Sequence, residues 1–380
     1  VIRAFNNENV EKKKFMRTND ELTKLLIFVD RILELQNPLI NIIFNGTTLL
    51  CSWIGISLLT QDFSYLGNMT AFAEYVTFVM MSFLMLSMFF IMIPRANVSA
   101  GRINEILKTS PKIHFVKKTH GVPEKQASVE FKKVDFSYPD AAEKVLDNIS
   151  FRAEAGKTTA FIGSTGSGKS TLINLVPRFY EATSGEILID GINIKEYSKD
   201  DLMQKIGLVP QRGVLFAGTV KSNIKFGAPN ATDAQVREAA EIAQATKFIE
   251  KMPEGFDSHI AQGGANVSGG QKQRLSIARA ICKKPDIFVF DDAFSALDMK
   301  TDAKLRAALK PITESAVVLI VAQRISTIKD ADQIIVLDKG KVVGKGMHKE
   351  LLNSCKVYQS IVKSQLSDAE FKKEMHGATR

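Results

Sequence analysis

The sequence predicts a two-part fold, all-α transmembrane helices followed by an α/β domain built around a phosphate-binding glycine loop. Three observations predict it. The first hundred or so residues hold two long uncharged runs, Leu35 to Gln61 and Tyr75 to Ile93. From Ala127 to about Leu366, apolar strand-like runs alternate with amphipathic segments, the pattern of a mainly parallel sheet covered by helices. Within that stretch, "FIGSTGSGKST" (Phe161 to Thr171) lies between an apolar strand and a helical segment.

At 380 residues the chain exceeds one typical core, so two regions are the expectation, and composition shifts near residue 110. The boundaries read as 1–110 for a stalk helix and two transmembrane helices, 111–126 for a polar linker, 127–366 for the α/β domain and 367–380 for a polar, loosely ordered tail. Each uncharged run reaches the ~20 residues an α-helix needs to cross a bilayer. Residues 1–34 place apolar positions at helical spacing among mixed charges, so the first span continues from a cytoplasmic helix reaching ~50 Å at ~1.5 Å per residue. Lys12, Lys13, Lys14, Arg17, Lys24 and Arg31 precede the first span, and Arg95, Arg102 and Lys108 follow the second. The connection from Thr60 to Glu74 holds Asp62 and Glu74 but no Lys or Arg. This asymmetry places both flanks in the cytoplasm and the short connection outside. A chain that opens at Val1 within a helical pattern reads as the C-terminal part of something longer, because a membrane pathway uses more than two helices.

Pro38 early in the first span predicts a kink that neighbouring helices must cover. Met80, Met81, Met85, Met88 and Met92 give the second span a soft, adaptable surface. After "ANVSAGRINEILKTSP" the helix is expected to stop near Pro111. The net charge of +9 is scattered among acids, which argues against nucleic acid as a partner and for a membrane protein's cytoplasmic face. Cys51, Cys282 and Cys355 share no disulfide or metal spacing. The "NMT" at Asn68 reads as a chance match to a glycosylation acceptor.

In the glycine loop, Gly163 is followed by Ser164, Thr165, Gly166 and Ser167, then by Gly168, Lys169, Ser170 and Thr171. Glycines let backbone N–H groups converge on phosphate oxygens; Lys169 is placed to reach the β and γ phosphates and Ser170 to coordinate Mg²⁺. Asp291 closes the apolar run "IFVF" and is the expected second magnesium-organising carboxylate.

"ANVSGGQKQRLSIARA" carries Ser268, Gly269, Gly270 and Gln271 at the opening of an amphipathic helix, upstream of Asp291. This resembles the signature sequence of the ABC ATPases and makes the second part an α/β P-loop ABC-type nucleotide-binding domain. The resemblance implies a head-to-tail pair of such domains, each signature closing the other's ATP site. It implies that Tyr138 stacks on adenine, that Gln211 senses Mg²⁺, and that "SALD", from Ser295 to Asp298, crosses the dimer seam. The order of spans then ATPase, opened by "VIRAF", resembles ABC exporter half-transporters from the fifth of six membrane helices onward.

Four positions depart from that family. Asp292 stands where the family places the glutamate that polarises the attacking water, and Gln323 where it places a γ-phosphate-contacting histidine. Both lie in the site built on this chain's own glycine loop, whereas the signature departs only in Val267 for leucine. Gln262 or a neighbour replaces the acidic residue often found before the signature. The pattern resembles the degenerate subunit of a heterodimeric exporter, which implies a second ABC half-transporter chain as partner, ATP and Mg²⁺ as cofactors, membrane lipid around the spans, and a hydrophobic or amphipathic small-molecule substrate. Two other readings remain open, a homodimeric transporter with slow hydrolysis and an ATP-gated regulator or channel.

Overall fold

The computed structural model describes residues 2–59, 64, 66–121, 126–139, 141, 143–367, 369–371 and 374–375. They form two compact units, Val1–Pro111 and Lys112–Arg380.

The first unit is helical. A 3₁₀ turn (Arg3–Phe5) precedes α1 (Glu8–Leu59, 52 residues), which is followed by α2 (Leu66–Lys108, 43 residues). Both helices run well beyond the uncharged segments, because absence of charge marks the apolar section of a helix and not its ends. α2 therefore begins within what the sequence reads as the connection. Leu66 to Glu74 is helical, helped by Leu, Met, Ala and Glu, all strong helix formers; Asp62 lies outside the described residues. Pro38 and Pro94 are both contained within helix, and α2 stops at Lys108, short of Pro111. Gln36 Nε2 donates to Ser87 Oγ across the pair. At Gly55 an added Cβ would lie 2.7 Å from Met69 Sδ, so the helices approach closely there. The large apolar side chains point outward, Trp53 78%, Phe90 71% and Ile42 69% exposed, as suits helices whose solvent is lipid.

The second unit opens with an irregular segment laid on its own domain. Arg178 Nη2 donates to the His114 carbonyl at 3.0 Å and its guanidinium lies 4.7 Å from the Phe115 ring centre. Val116 bridges to Ser198, and His120 N donates to the Glu196 carbonyl at 3.0 Å. Much of the polar stretch read as a linker is thus held by the domain that follows it.

The domain then runs β1 (Ser128–Phe136), β2 (Leu146–Glu154), β3 (Thr158–Gly163), α3 (Lys169–Leu175), β4 (Ser184–Ile189), β5 (Ile192–Asn193), α4 (Lys199–Lys205) and β6 (Ile206–Val209). A helical region follows, with β7 (Gly218–Thr219), α5 (Val220–Lys225), α6 (Asp233–Ile242), α7 (Thr246–Ile249), β8 (His259–Ile260) and α8 (Gly269–Cys282). The rest is β9 (Ile287–Asp291), α9 (Met299–Leu309), β10 (Val317–Val321), α10 (Ile325–Ile328), β11 (Gln333–Asp338), β12 (Lys341–Gly346), α11 (His348–Ser354) and α12 (Lys356–Gln365).

The central sheet has the order β12-β11-β3-β10-β9-β6 and is parallel except for β12. Its inner strands are buried on both faces: Phe161 faces one core, while Ala160 and Ile162 face the other, the two-residue alternation of a strand. A separate sheet, β2-β1-β4-β5, is antiparallel. This second sheet is a departure from the single mainly parallel one expected. The described residues between β1 and β2 contain no helix, and without a crossover two neighbouring strands pair antiparallel. Phe151 joins the two sheets, stacked on Phe131 at 4.6 Å and edge-on to Phe161 at 5.2 Å. At the C-terminus, residues 369–371 are helical, and Phe371 and Met375 pack onto the core. The described part of the tail expected to be loose is thus anchored by two apolar residues four positions apart.

Phe151→Ala is expected to lower the unfolding free energy of this domain by ~3–5 kcal/mol through the cavity left between the sheets, measured by chemical denaturation.

Candidate nucleotide-binding site

Strands β3, β10 and β9 are parallel neighbours in register, with Val321 opposite both Phe161 and Asp291. Their carboxyl ends therefore reach one edge of the sheet, where open α/β sheets bind ligands. The glycine loop leaves β3, Asp291 and Asp292 leave β9, and Gln323 follows β10. Together with Gln211 they line a cleft of about 300 Å³.

The loop's shape depends on its glycines at two points. A Cβ on Gly163 would sit 2.1 Å from the Leu337 carbonyl oxygen, and Gly168 holds φ +96° with Leu146 Cδ2 2.7 Å from where its Cβ would be. Between them Gly166, at φ +81°, has nothing within 4 Å, which leaves an open concavity bounded by backbone. Into it Lys169 folds back, its Nζ donating to the carbonyls of Gly163 (2.9 Å) and Ser164 (2.7 Å) and to Ser167 Oγ (3.3 Å). Burial pulls the Lys169 ammonium pKa down, opposed by the charges of Asp292 and Asp291. An anionic ligand supplies such a cation with stronger partners than neutral carbonyls.

Ser170 Oγ donates to Asp291 Oδ1 at 3.0 Å, so a hydroxyl and a carboxylate converge as oxygen donors, the ligand type Mg²⁺ takes. Gln211, expected with them, donates instead to Asp292 Oδ2 at 3.4 Å. That same oxygen accepts from Gln323 Nε2 at 2.9 Å. Asp292 is 7% exposed and holds φ +48°, with its backbone N–H on the Val321 carbonyl at 2.9 Å. Burial raises the carboxyl pKa of both aspartates. The Ser170 bond opposes this at Asp291, and nearby Ser295 with Gln211 and Gln323 oppose it at Asp292.

Tyr138 sits beside the loop, its hydroxyl 3.0 Å from Thr171 Oγ1 and its ring edge-on to Phe136 (4.9 Å) and Tyr180 (5.2 Å). Tyr180 was not foreseen; only the fold brings an aromatic after α3 against one before β2.

Ser268 to Gln271 are not among the residues lining the cleft. Ser268 caps α8, accepting from Gln271 N at 3.3 Å while its own N–H donates to Gln271 Oε1 at 2.9 Å. Ser268 and Gly269 are exposed. A Cβ on Gly270 would lie 3.3 Å from the Ala296 carbonyl, so the signature neighbours the segment from Ser295 to Asp298. In that segment Ser295 Oγ donates to the Asp292 carbonyl at 2.7 Å, and the Asp298 carboxylate caps α9 by accepting from Thr301 N at 3.0 Å.

Comparison with known proteins agrees with this architecture. Residues 146–295 match the ABC transporter family and residues 1–83 match the ABC transporter transmembrane region. The chain belongs to the ABC transporters, with the exporter arrangement of a transmembrane region followed by a nucleotide-binding domain that in this family is cytoplasmic. It is 41% identical over 376 residues to an uncharacterized ABC transporter ATP-binding protein of Mycobacterium bovis, covering 96% of this chain and 63% of that relative. A Bacillus subtilis protein described in the same words is 37% identical over 367 residues, again 96% of this chain and 63% of the relative. Among solved structures, a bacterial Atm1-family ABC exporter with ATP bound superposes with a TM-score of 0.87 at 30% identity, covering 97% of this chain and 65% of that one. The chain thus spans about 63% of the length of these curated relatives.

Two outcomes follow for Asp291→Asn. A carboxyl whose folded pKa is raised opposes folding when ionised, and that opposition fades only as pH falls through the folded value towards the ordinary 3.8. The variant is therefore expected to melt higher than the parent without nucleotide at pH 7, with the gain shrinking in acid, and to lose the extra stabilisation that MgATP gives over ATP with a chelator. Thermal melts across pH, with and without Mg²⁺, check both.

Proposed function

We propose that this chain is one subunit of a heterodimeric, ATP-driven membrane exporter whose own ATP site holds nucleotide and hydrolyses it weakly. The observation that carries the reading is the state of Asp292. One oxygen of this short carboxylate receives both Gln323 (2.9 Å) and Gln211 (3.4 Å). A carboxylate held by two amide donors is a poor base for a water, and errors near 1 Å cost ~10²-fold in rate. Gln323 donates hydrogen bonds but takes up no proton near neutral pH, unlike a histidine.

The binding parts are complete. Gly163 to Thr171 wrap the phosphates, Lys169 exchanges its carbonyl partners for phosphate oxygens, and Tyr138 faces the base. Ser170, Asp291 and, after release from Asp292, Gln211 serve Mg²⁺, which when bound neutralises phosphate charge. Ser268 to Gln271, capped and exposed, contact ATP held by a partner half-transporter, with Ser295 and Asp298 at the seam. The partner carries glutamate and histidine at the two altered positions and performs the hydrolysis. Closure of the ATP-bound pair drives the membrane helices, which export a hydrophobic or amphipathic small molecule; the methionine-rich face of α2 supports that substrate class.

ATP turnover of the assembled transporter tests the proposal. Asp292→Asn with Gln323→Ala is expected to change turnover less than about twofold, whereas Ser268→Arg is expected to lower it at least ~10²-fold, the scale on which catalytic positioning acts. Loss of turnover in the double variant would make Asp292 a working base and overturn the degenerate-site reading, as would an active assembly containing this chain alone.

A further inference from the structure

The residue that aims Gln323 is far from it in sequence. β10 ends at Val321, and α10 begins at Ile325 with Arg324 as its cap residue; Arg324 makes no side-chain bond to the helix's free N–H groups. Gln365, the last residue of α12, serves instead. Its Nε2 donates to the Gln323 carbonyl at 2.6 Å and its Oε1 accepts from the Ile325 N–H at 2.9 Å. One amide thus grips the backbone on both sides of Arg324, while the Gln323 side chain projects to Asp292 Oδ2 at 2.9 Å.

The grip has a rigid base. Tyr358 and Val362 of α12 are fully buried, the Tyr358 hydroxyl is 2.7 Å from His348 Nδ1, and Leu366, next to Gln365, packs against the core. Gln365 itself is exposed, so it adds little to the core. What it fixes is the loop between β10 and α10.

We infer that Gln365 is a positioning residue for the nucleotide site, holding the Gln323 loop so that the Gln323 amide meets the terminal phosphate of bound ATP. The inference rests on the proposed placement of Gln323 at that phosphate. It makes α12 part of the device that distinguishes ATP from ADP, since ADP lacks the terminal phosphate that Gln323 would meet.

The experiment uses the complete protein in its membrane assembly, comparing Gln365→Met, which keeps bulk without hydrogen bonds, Gln365→Glu, which keeps the acceptor for Ile325 and loses the donor to Gln323, and Gln323→Ala. ATP and ADP affinities, melting temperature and hydrogen exchange of residues 322–327 are measured. Gln365→Met is expected to speed exchange in that segment and to weaken ATP roughly threefold to tenfold, the effect of one or two net hydrogen bonds, with ADP affinity and melting temperature unchanged. Gln365→Glu is expected to weaken ATP to a similar degree while the Ile325 amide stays protected. Adding Gln323→Ala to Gln365→Met is expected to cause no further loss. Equal loss of ATP and ADP, a fall in melting temperature that accounts for the change, or unaltered exchange would overturn the inference. If Gln323→Ala weakens ATP selectively and Gln365→Met does not, the inference alone fails. If neither does, the placement of Gln323 fails and the inference with it.

Discussion

The structure of the nucleotide-binding domain depends on the parallel register of β3, β10 and β9. Because Val321 stands opposite both Phe161 and Asp291, three chain segments distant in sequence deliver their ends to one edge. The strands are apolar on both faces, so a slip by one residue would exchange the side chains of the two cores. The register is therefore fixed by burial, and the polar residues that follow each strand inherit that precision without contributing to it.

Within the cleft, two aspartates that share a strand end have separate surroundings. Asp291 meets a hydroxyl and Asp292 meets two amides. Both are buried enough that ionisation works against folding, and the nearby Lys169 ammonium partly offsets this at Asp291. The domain thus keeps a charge arrangement that works against its own folding, a common trait of sites that trade stability for binding.

Much of this was legible in the sequence, where the pattern was local. The glycine loop, the strand before Asp291 and the helix opened by Ser268 each declare themselves within a dozen residues, because periodicity and capping act over that range. The ends of α1 and α2 were less legible, since an uncharged run says where lipid-compatible surface lies and not where hydrogen bonding stops. The antiparallel sheet and the meeting of Tyr138 with Tyr180 are long-range products of folding. Gln211 shows a subtler limit: its place beside the cleft was foreseen, yet its bond to Asp292 depends on distances that sequence does not carry. The tail read as polar because its two apolar anchors, Phe371 and Met375, stand among charges.

The backbone of Asp292, at φ +48°, has an evolutionary consequence. Aspartate and asparagine occupy this left-handed region far more readily than longer side chains, because a short polar group finds local partners there. A glutamate at this turn carries more conformational strain, tolerated where catalysis selects for it. Under the proposed degenerate-site reading, an aspartate at this position relieves that strain while preserving charge. On that reading, the local backbone preference favours the shorter side chain and disfavours a return to the longer one.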